Sequence, residues 1–304
     1  MHRTVFYLAE QISDFLFRVR NRIRRIFFNK HFISGDPEKS DSEVSFYEDA
    51  VSDILQSDSR FKKFRRIYDY REILEHVSRG QGFKYLEKLE RSSDITDSFS
   101  ELVLRNDSIG KPRVYKYYDG FYASPTTLRY ISVGLEIRNI FGKELAGRFA
   151  EIGAGYGGQC SVLFELFDVD EYLVYDLPIV QQLISKYLSG IECLKNVKMS
   201  QPHKISTEPI DFLVSNYAFS ELPRAIQLDY LDKVISRASN GYMIMNSGVH
   251  NETGRSLGKL SYKEIQKFLP NSHLIVEEPL SSRDNYIIVW GDNLDLSEVE
   301  ILQD

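Results

Sequence analysis

Glu151-Ile152-Gly153-Ala154-Gly155-Tyr156-Gly157-Gly158-Gln159 sets four glycines and one carboxylate between an apolar run and a stretch of helical pattern. Where a backbone must turn sharply and also touch a ligand, a Cβ obstructs both the required φ angles and the close approach. A second carboxylate, Asp176, closes the next apolar run in Tyr175-Asp176-Leu177-Pro178, 21 residues after Gly155. That spacing brings an acidic side chain beside the ribose of a bound nucleotide, where it accepts from both hydroxyls. Gly153, Gly155 and Gly158 also fit the dinucleotide pattern GxGxxG, with Asp176 as its acidic partner. From the glycines alone, a nicotinamide oxidoreductase and a binder of another adenosine cofactor both remain open.

These residues need a strand–turn–helix frame, and the chain supplies one from Arg148 onward. Short apolar runs near 148–152, 171–175, 196–199, 210–215, 241–246, 273–277 and 285–290 read as strands. Helices between the first five predict a parallel, doubly wound α/β sheet. The last two runs are joined only by the polar connection Pro279–Asn285, too brief for a crossover helix, so they should pair antiparallel.

Glu151 just before the first glycine, the mid-chain position of the motif and the terminal hairpin tilt it toward S-adenosylmethionine and leave a nicotinamide oxidoreductase as the alternative, since dinucleotide sites usually carry an apolar residue at that first place. The segment resembles motif I of the class I S-adenosylmethionine-dependent methyltransferases, and the hairpin resembles the reversed last strand of their Rossmann-like, seven-stranded fold. The resemblance covers about residues 126–291. It implies S-adenosylmethionine as cofactor, with Glu151 placing the methionine end, Gly153, Gly155 and Gly157 lining its path and Asp176 holding the ribose. Tyr156, Gln159 and Leu177 complete the cofactor candidates beside these, and Asn216 and Tyr217 sit where they touch the cofactor or orient an acceptor. More narrowly, EIGAGYGGQ, YDLP and SNYAFSEL in this order resemble the sugar O-methyltransferase family found with bacterial surface-polysaccharide genes. That implies a sugar or glycan hydroxyl as acceptor. The DLP triplet also occurs in enzymes that methylate phenols. Those usually carry a histidine just after the fourth strand, where this chain reads Ser215-Asn216-Tyr217-Ala218-Phe219-Ser220-Glu221.

A sugar hydroxyl is a poor nucleophile while protonated, so a positioned base is expected. Glu221 is the first candidate because it follows the fourth strand at the carboxyl edge, where open α/β folds bind ligands. It would equally suit a helix start at Ser220-Glu221-Leu222-Pro223. His250 is the second candidate, in a polar loop after the fifth strand, with a side chain that titrates near working pH. No tight acidic cluster appears; Asp119, Glu221, Glu252 and His250 are scattered donors that could meet around a divalent ion, and no metal is expected. A scaffold that keeps the fold without the chemistry is the non-enzymatic alternative.

The remaining sequence bounds the setting. The 304 residues carry a net charge of −6, opposite to the basic surplus with which nucleic-acid binders neutralise phosphates. Residues 1–33 differ: Leu8, Ile12, Phe15, Val19, Ile23 and Ile26 fall at helical spacing over 5–28. Seven cations face two acids over residues 1–31. This basic amphipathic helix suits peripheral attachment to an anionic membrane, or packing on its own domain or a second subunit of a homo-oligomer. Ser34 to Ser42 reads as a linker. Segments 43–56, 60–79 and 82–91 show broken helical periodicity of unreadable function within a helical region over 34–125. The tyrosine-rich stretch Val114–Tyr130 is either a lid or acceptor wall, or a packed seam. The domain over 126–292 then ends in a tail, 293–304. Two cysteines without paired spacing, no secretory leader and no apolar run of about 20 residues lead to the expectation of a cytoplasmic protein with reduced thiols.

Overall fold

The structure, a computed structural model, describes residues 47–91, 98–193, 195–200, 208–246, 249, 258–282 and 285–302. The basic segment 5–28, His250 and Glu252 lie outside these described residues. The first described part is helical: α1 Tyr47–Leu55, α2 Asp58–Phe61, α3 Tyr68–Leu74, α4 Arg79–Arg91 and α5 Ser98–Asp107. A two-stranded antiparallel hairpin follows, β1 Tyr115–Tyr118 with β2 Phe121–Ala123, then α6 Pro125–Phe141. Ser124 caps α6 by accepting from the Thr127 backbone N–H at 3.2 Å, with Pro125 preset at the first helical position.

The second part alternates: β3 Ala146–Ile152, α7 Gly158–Leu166, β4 Asp168–Tyr175, α8 Pro178–Gly190, β5 Val197–Ser200, β6 Ile210–Asn216. It continues with α9 Ala218–Glu221, α10 Arg224–Lys233, β7 Ala238–Met245, α11 Tyr262–Ile265, β8 His273–Ile275 and β9 Tyr286–Trp290. The seven strands form one sheet in the order β5-β4-β3-β6-β7-β9-β8. β5 through β7 run parallel, and β9 enters antiparallel between β7 and β8. This is the Rossmann-like class I methyltransferase fold expected from the sequence, including the reversed terminal strand.

The strands are almost continuously apolar because both faces are covered. Alternation sends Phe149, Tyr172, Val174, Phe212 and Val214 into one core with α1 and α3–α8. Ala150, Ile152, Leu173, Leu213 and Met243 go into the other with α10 and α11. Cys160 and Cys193 are buried and free. Among the described residues, no helix is long and apolar enough to cross a membrane.

The tyrosine-rich stretch is the hairpin and the start of α6. Tyr117 is buried edge-on against Phe83 of α4 at 4.7 Å between ring centres, and Phe121 stacks on Phe99 at 5.5 Å. Those contacts are a packed seam between the helical part and the hairpin, while Tyr118 and Tyr122 stay exposed.

Candidate active site

The carboxyl ends of β3, β4, β6 and β7 open on one edge of the sheet, at the point where the strand order reverses between β3 and β6. In open α/β sheets this crevice takes the ligand. Along β3 the chain leaves the sheet at Gly153, whose N–H donates to the Tyr175 carbonyl at 2.9 Å. Gly153, Gly155 and Gly157 then all take positive φ, at 75°, 60° and 93°. The last is the left-handed residue from which α7 starts. Asp176 closes β4 opposite this turn. Its two oxygens accept from the Gly155 N–H at 3.3 Å and the Leu177 N–H at 2.8 Å. The sequence-based pairing of the glycine turn with Asp176 is therefore a direct contact.

Glu151 lies under the turn, fully buried, accepting from the Tyr172 hydroxyl at 2.7 Å. Tyr156 points away from the crevice into the core, its hydroxyl donating to Asn106 Oδ1 at 3.1 Å. Gln159, in the first turn of α7, is a bridge: its Nε2 donates to the Tyr130 carbonyl at 3.2 Å and its Oε1 accepts from Asn216 Nδ2 at 3.1 Å. That leaves Asn216 Oδ1 buried at the end of β6 without a hydrogen-bond donor. Tyr217 follows in a left-handed conformation, φ 69°. Its hydroxyl donates to Glu277, which also accepts from Ser281 N at 2.9 Å and Asn285 Nδ2 at 2.9 Å. The polar β8–β9 connection is thus tied to the tip of β6.

Glu221 is the last residue of α9, not the start of a longer helix, since α10 begins at Arg224 beyond Pro223. Asn246, at the end of β7, donates to Glu221 Oε1 at 2.8 Å and is itself fixed by Ser220. Asp119 does not join Glu221: it is exposed on the β1–β2 turn, ion-paired with Lys116 at 2.7 Å.

The helical part contributes residues that the sequence pattern did not single out. Leu74 of α3 sits against Gly155, where a Cβ would meet it at 3.3 Å. Tyr47 of α1 stands in electrostatic range of Asp176. Beside them Arg65 is fully buried between α2 and α3. Its guanidinium pairs with Glu75, pairs with Asp107 at 3.2 Å, donates to the Asn106 carbonyl at 2.9 Å and to Ser124 Oγ at 3.0 Å, and lies 4.7 Å from the Tyr156 ring centre. Asn106 Nδ2 in turn donates to the Gly158 carbonyl at 2.9 Å. The glycine turn is held from above by this polar network.

Burial pushes the Asp176 carboxyl up to about 7, against the backbone N–H donors of Leu177 and Gly155 that favour its charge. Burial likewise pushes Glu151 up to about 8, opposed by the Tyr172 hydroxyl. In the unfolded chain both return to the ordinary carboxyl range near 4. Folding therefore takes up protons, and the contribution of these groups to stability is complete below about pH 4 and lost as pH rises through 7 to 8. The thermal midpoint of the unliganded chain is expected to fall between pH 6 and 8. A ligand whose hydroxyls donate to Asp176 favours its ionised form, so binding should strengthen over the same interval and release protons. Titration calorimetry in buffers of different ionisation heat reads that release; no net proton exchange at pH 6.5 would contradict it.

No protein-family model matches this chain, and no curated protein matches it. Solved structures are similar to it at low identity. The mitomycin 7-O-methyltransferase MmcR is 11% identical over 55% of this chain and 55% of its own, with a TM-score of 0.42. The pyocyanin biosynthetic protein PhzM is 13% identical, over 54% of this chain and 56% of its own, with a TM-score of 0.39. An rRNA methylase from Streptococcus thermophilus is 10% identical over 58% of this chain and 93% of its own, at 0.36. The matched region spans about half the length of the first two.

Proposed function

We propose that this chain is an S-adenosylmethionine-dependent O-methyltransferase acting on a hydroxyl of a sugar, carried on a surface glycan or its lipid- or nucleotide-linked precursor. The observation that supports it most is the Gly153–Gly157 turn clasped to Asp176 at the carboxyl edge, in a sheet whose last strand is reversed. The residues present suit that cofactor. Asp176 offers carboxylate oxygens to a ribose, the positive-φ glycines let a ligand approach the backbone, and the unsatisfied Asn216 Oδ1 is an acceptor for an ammonium donor.

When bound, S-adenosylmethionine supplies an electrophilic methyl group on a sulfonium. The chain's task is to align an acceptor oxygen with it and remove the proton. Alignment can contribute about 7–11 kcal/mol in favourable cases. Glu221 is the base in this reading, oriented by Asn246, and would add about 10²–10⁴-fold. His250 is the alternative base. The basic segment 5–28 suits an acceptor presented on a lipid at an anionic surface.

Titration of the full chain with S-adenosylhomocysteine, with NAD as control, tests the reading. Saturable binding of the first alone is expected; binding of NAD alone would overturn it. Asp176→Ala should weaken S-adenosylhomocysteine binding by about 10–100-fold, as loss of charge-assisted hydrogen bonds does. Glu221→Gln should bind it as the parent does and lose turnover. Unchanged affinity in the first variant would remove Asp176 from the ribose, and full activity in the second would pass the base role to His250.

A further inference from the structure

Two arginines of this chain are buried near the crevice, and the fold treats them differently. Arg65, with no exposed surface, is surrounded by acceptors: two carboxylates, a carbonyl and a hydroxyl. That is how a protein holds a guanidinium it keeps for architecture, because a buried charge costs several kcal/mol unless it is paired and hydrogen-bonded. Arg129, in the first turns of α6, is 7% exposed and has neither a carboxylate nor a carbonyl partner among the described residues; the side chain that bonds to it is the neutral Tyr130 hydroxyl. Its neighbours are tyrosines, with the rings of Tyr130 and Tyr217 centred 5.4 and 5.5 Å from the guanidinium carbon and Tyr85 beside it. Its Nε makes no hydrogen bond, and no carboxylate of the described residues stands within ion-pair distance. The carboxylates on that side are otherwise engaged: Glu277 by Tyr217, Ser281 and Asn285, and Glu136 by Lys88 at 2.8 Å and Tyr242 at 2.7 Å.

The position of Arg129 is as informative as its missing partner. Tyr217 places it at the tip of β6, and the next residue of α6, Tyr130, is bridged through Gln159 to Asn216. It therefore lies at the opposite end of the crevice from Asp176. We propose that Arg129 is the receptor for a carboxylate of the bound ligand, which completes its ion pair only in the liganded protein. A planar guanidinium fits a carboxylate through two parallel hydrogen bonds, and the aromatic faces of Tyr130 and Tyr217 hold it flat without neutralising it.

This inference rests on the methyltransferase reading, and two sources of the carboxylate follow from it: the amino-acid end of the cofactor, or an acidic sugar as acceptor. Calorimetry on the full chain and on Arg129→Met separates them. S-adenosylhomocysteine carries the carboxylate, and 5′-methylthioadenosine keeps the adenosine and thioether but lacks the amino acid. If the cofactor is the source, Arg129→Met binds S-adenosylhomocysteine about 10–100-fold more weakly and 5′-methylthioadenosine unchanged. If the acceptor is the source, both nucleosides bind as before, and glucuronate, but not glucose, loses its affinity for the S-adenosylhomocysteine-saturated variant. Arg129→Lys, which keeps the charge without the planar fork, should recover part of the loss in either case. The unliganded Arg129→Met chain should melt no lower than the parent, since it loses an unpaired buried charge.

Equal weakening of both nucleosides together with a lowered melting point would make Arg129 an architectural residue and overturn the proposal. So would unchanged affinity for S-adenosylhomocysteine and glucuronate alike. Failure of the parent chain to bind either nucleoside would remove the methyltransferase reading, and this inference with it.

Discussion

Arg65→Ala is expected to destabilise the unliganded chain by about 3–5 kcal/mol, because it strands two buried carboxylates. Glu75 and Asp107 are almost inaccessible, and Arg65 is the cation that both of them share. The loss should reach the ligand as well. Tyr156 rests its ring under the Arg65 guanidinium, and Asn106 links Tyr156 and the Gly158 carbonyl. With that network open, the glycine turn loses its fixed roof, and affinity for S-adenosylhomocysteine should fall although no removed atom faces the crevice. Urea unfolding of Arg65→Ala beside Arg65→Met/Glu75→Gln/Asp107→Asn is the decisive comparison. The triple variant, with no charge left to strand, should recover much of the stability. A loss below about 1 kcal/mol in Arg65→Ala would mean that the network contributes no more than an exposed ion pair.

Gly153→Ala is expected to be severely damaging for a single added methyl. The residue holds φ at 75°, and an added Cβ would stand 2.0 Å from the Cβ of Ala218. The strain of a left-handed non-glycine residue is about 1–3 kcal/mol, and the overlap adds roughly as much again by pushing α9 off the turn. Since α9 carries Glu221 and follows Asn216 and Tyr217, binding and turnover should be lost together. Gly142→Ala is the control, because Gly142 also holds a positive φ, 82°, with nothing within 4 Å of the added Cβ. It should show the conformational cost alone. Calorimetric affinity for Gly153→Ala within about twofold of the parent would show that the turn accommodates the methyl by shifting, and would overturn the expectation.

The sheet was legible because its strands are buried on both faces and so stand out as apolar runs. All seven lie within a few residues of where the pattern put them, and the reversed β9 followed from a connection too short for a helix. The clasp between Asp176 and the glycine turn was legible for the same reason: spacing along βαβ units is set by geometry. The roof was not. Arg65, Glu75 and Asp107 interrupt the hydrophobic periodicity of 60–79 and of α5 with charges that look solvent-facing in sequence and are buried in the fold. Nothing local distinguishes Leu74 or Tyr47 as neighbours of the crevice. Arg129 left a faint trace, as a lone cation in the apolar Thr126-Thr127-Leu128-Arg129-Tyr130-Ile131 stretch, which reads as a routine helix start. Tyr156, counted among the cofactor candidates on its place in the motif, turns inward to support the loop from behind.

The position of β9 also governs how the chain is made. A ribosome delivers strands in sequence order, yet the last one delivered is an interior strand, inserted between β7 and β8. Until Trp290 has emerged, β7 presents an open hydrogen-bonding edge built from Tyr242, Met243, Ile244 and Met245, and β8 has no neighbouring strand to join. An unpaired apolar edge of that kind recruits other chains. Nascent or truncated forms ending before β9 are therefore the species most exposed to aggregation, and the one hairpin that marks the fold is also the step that closes it.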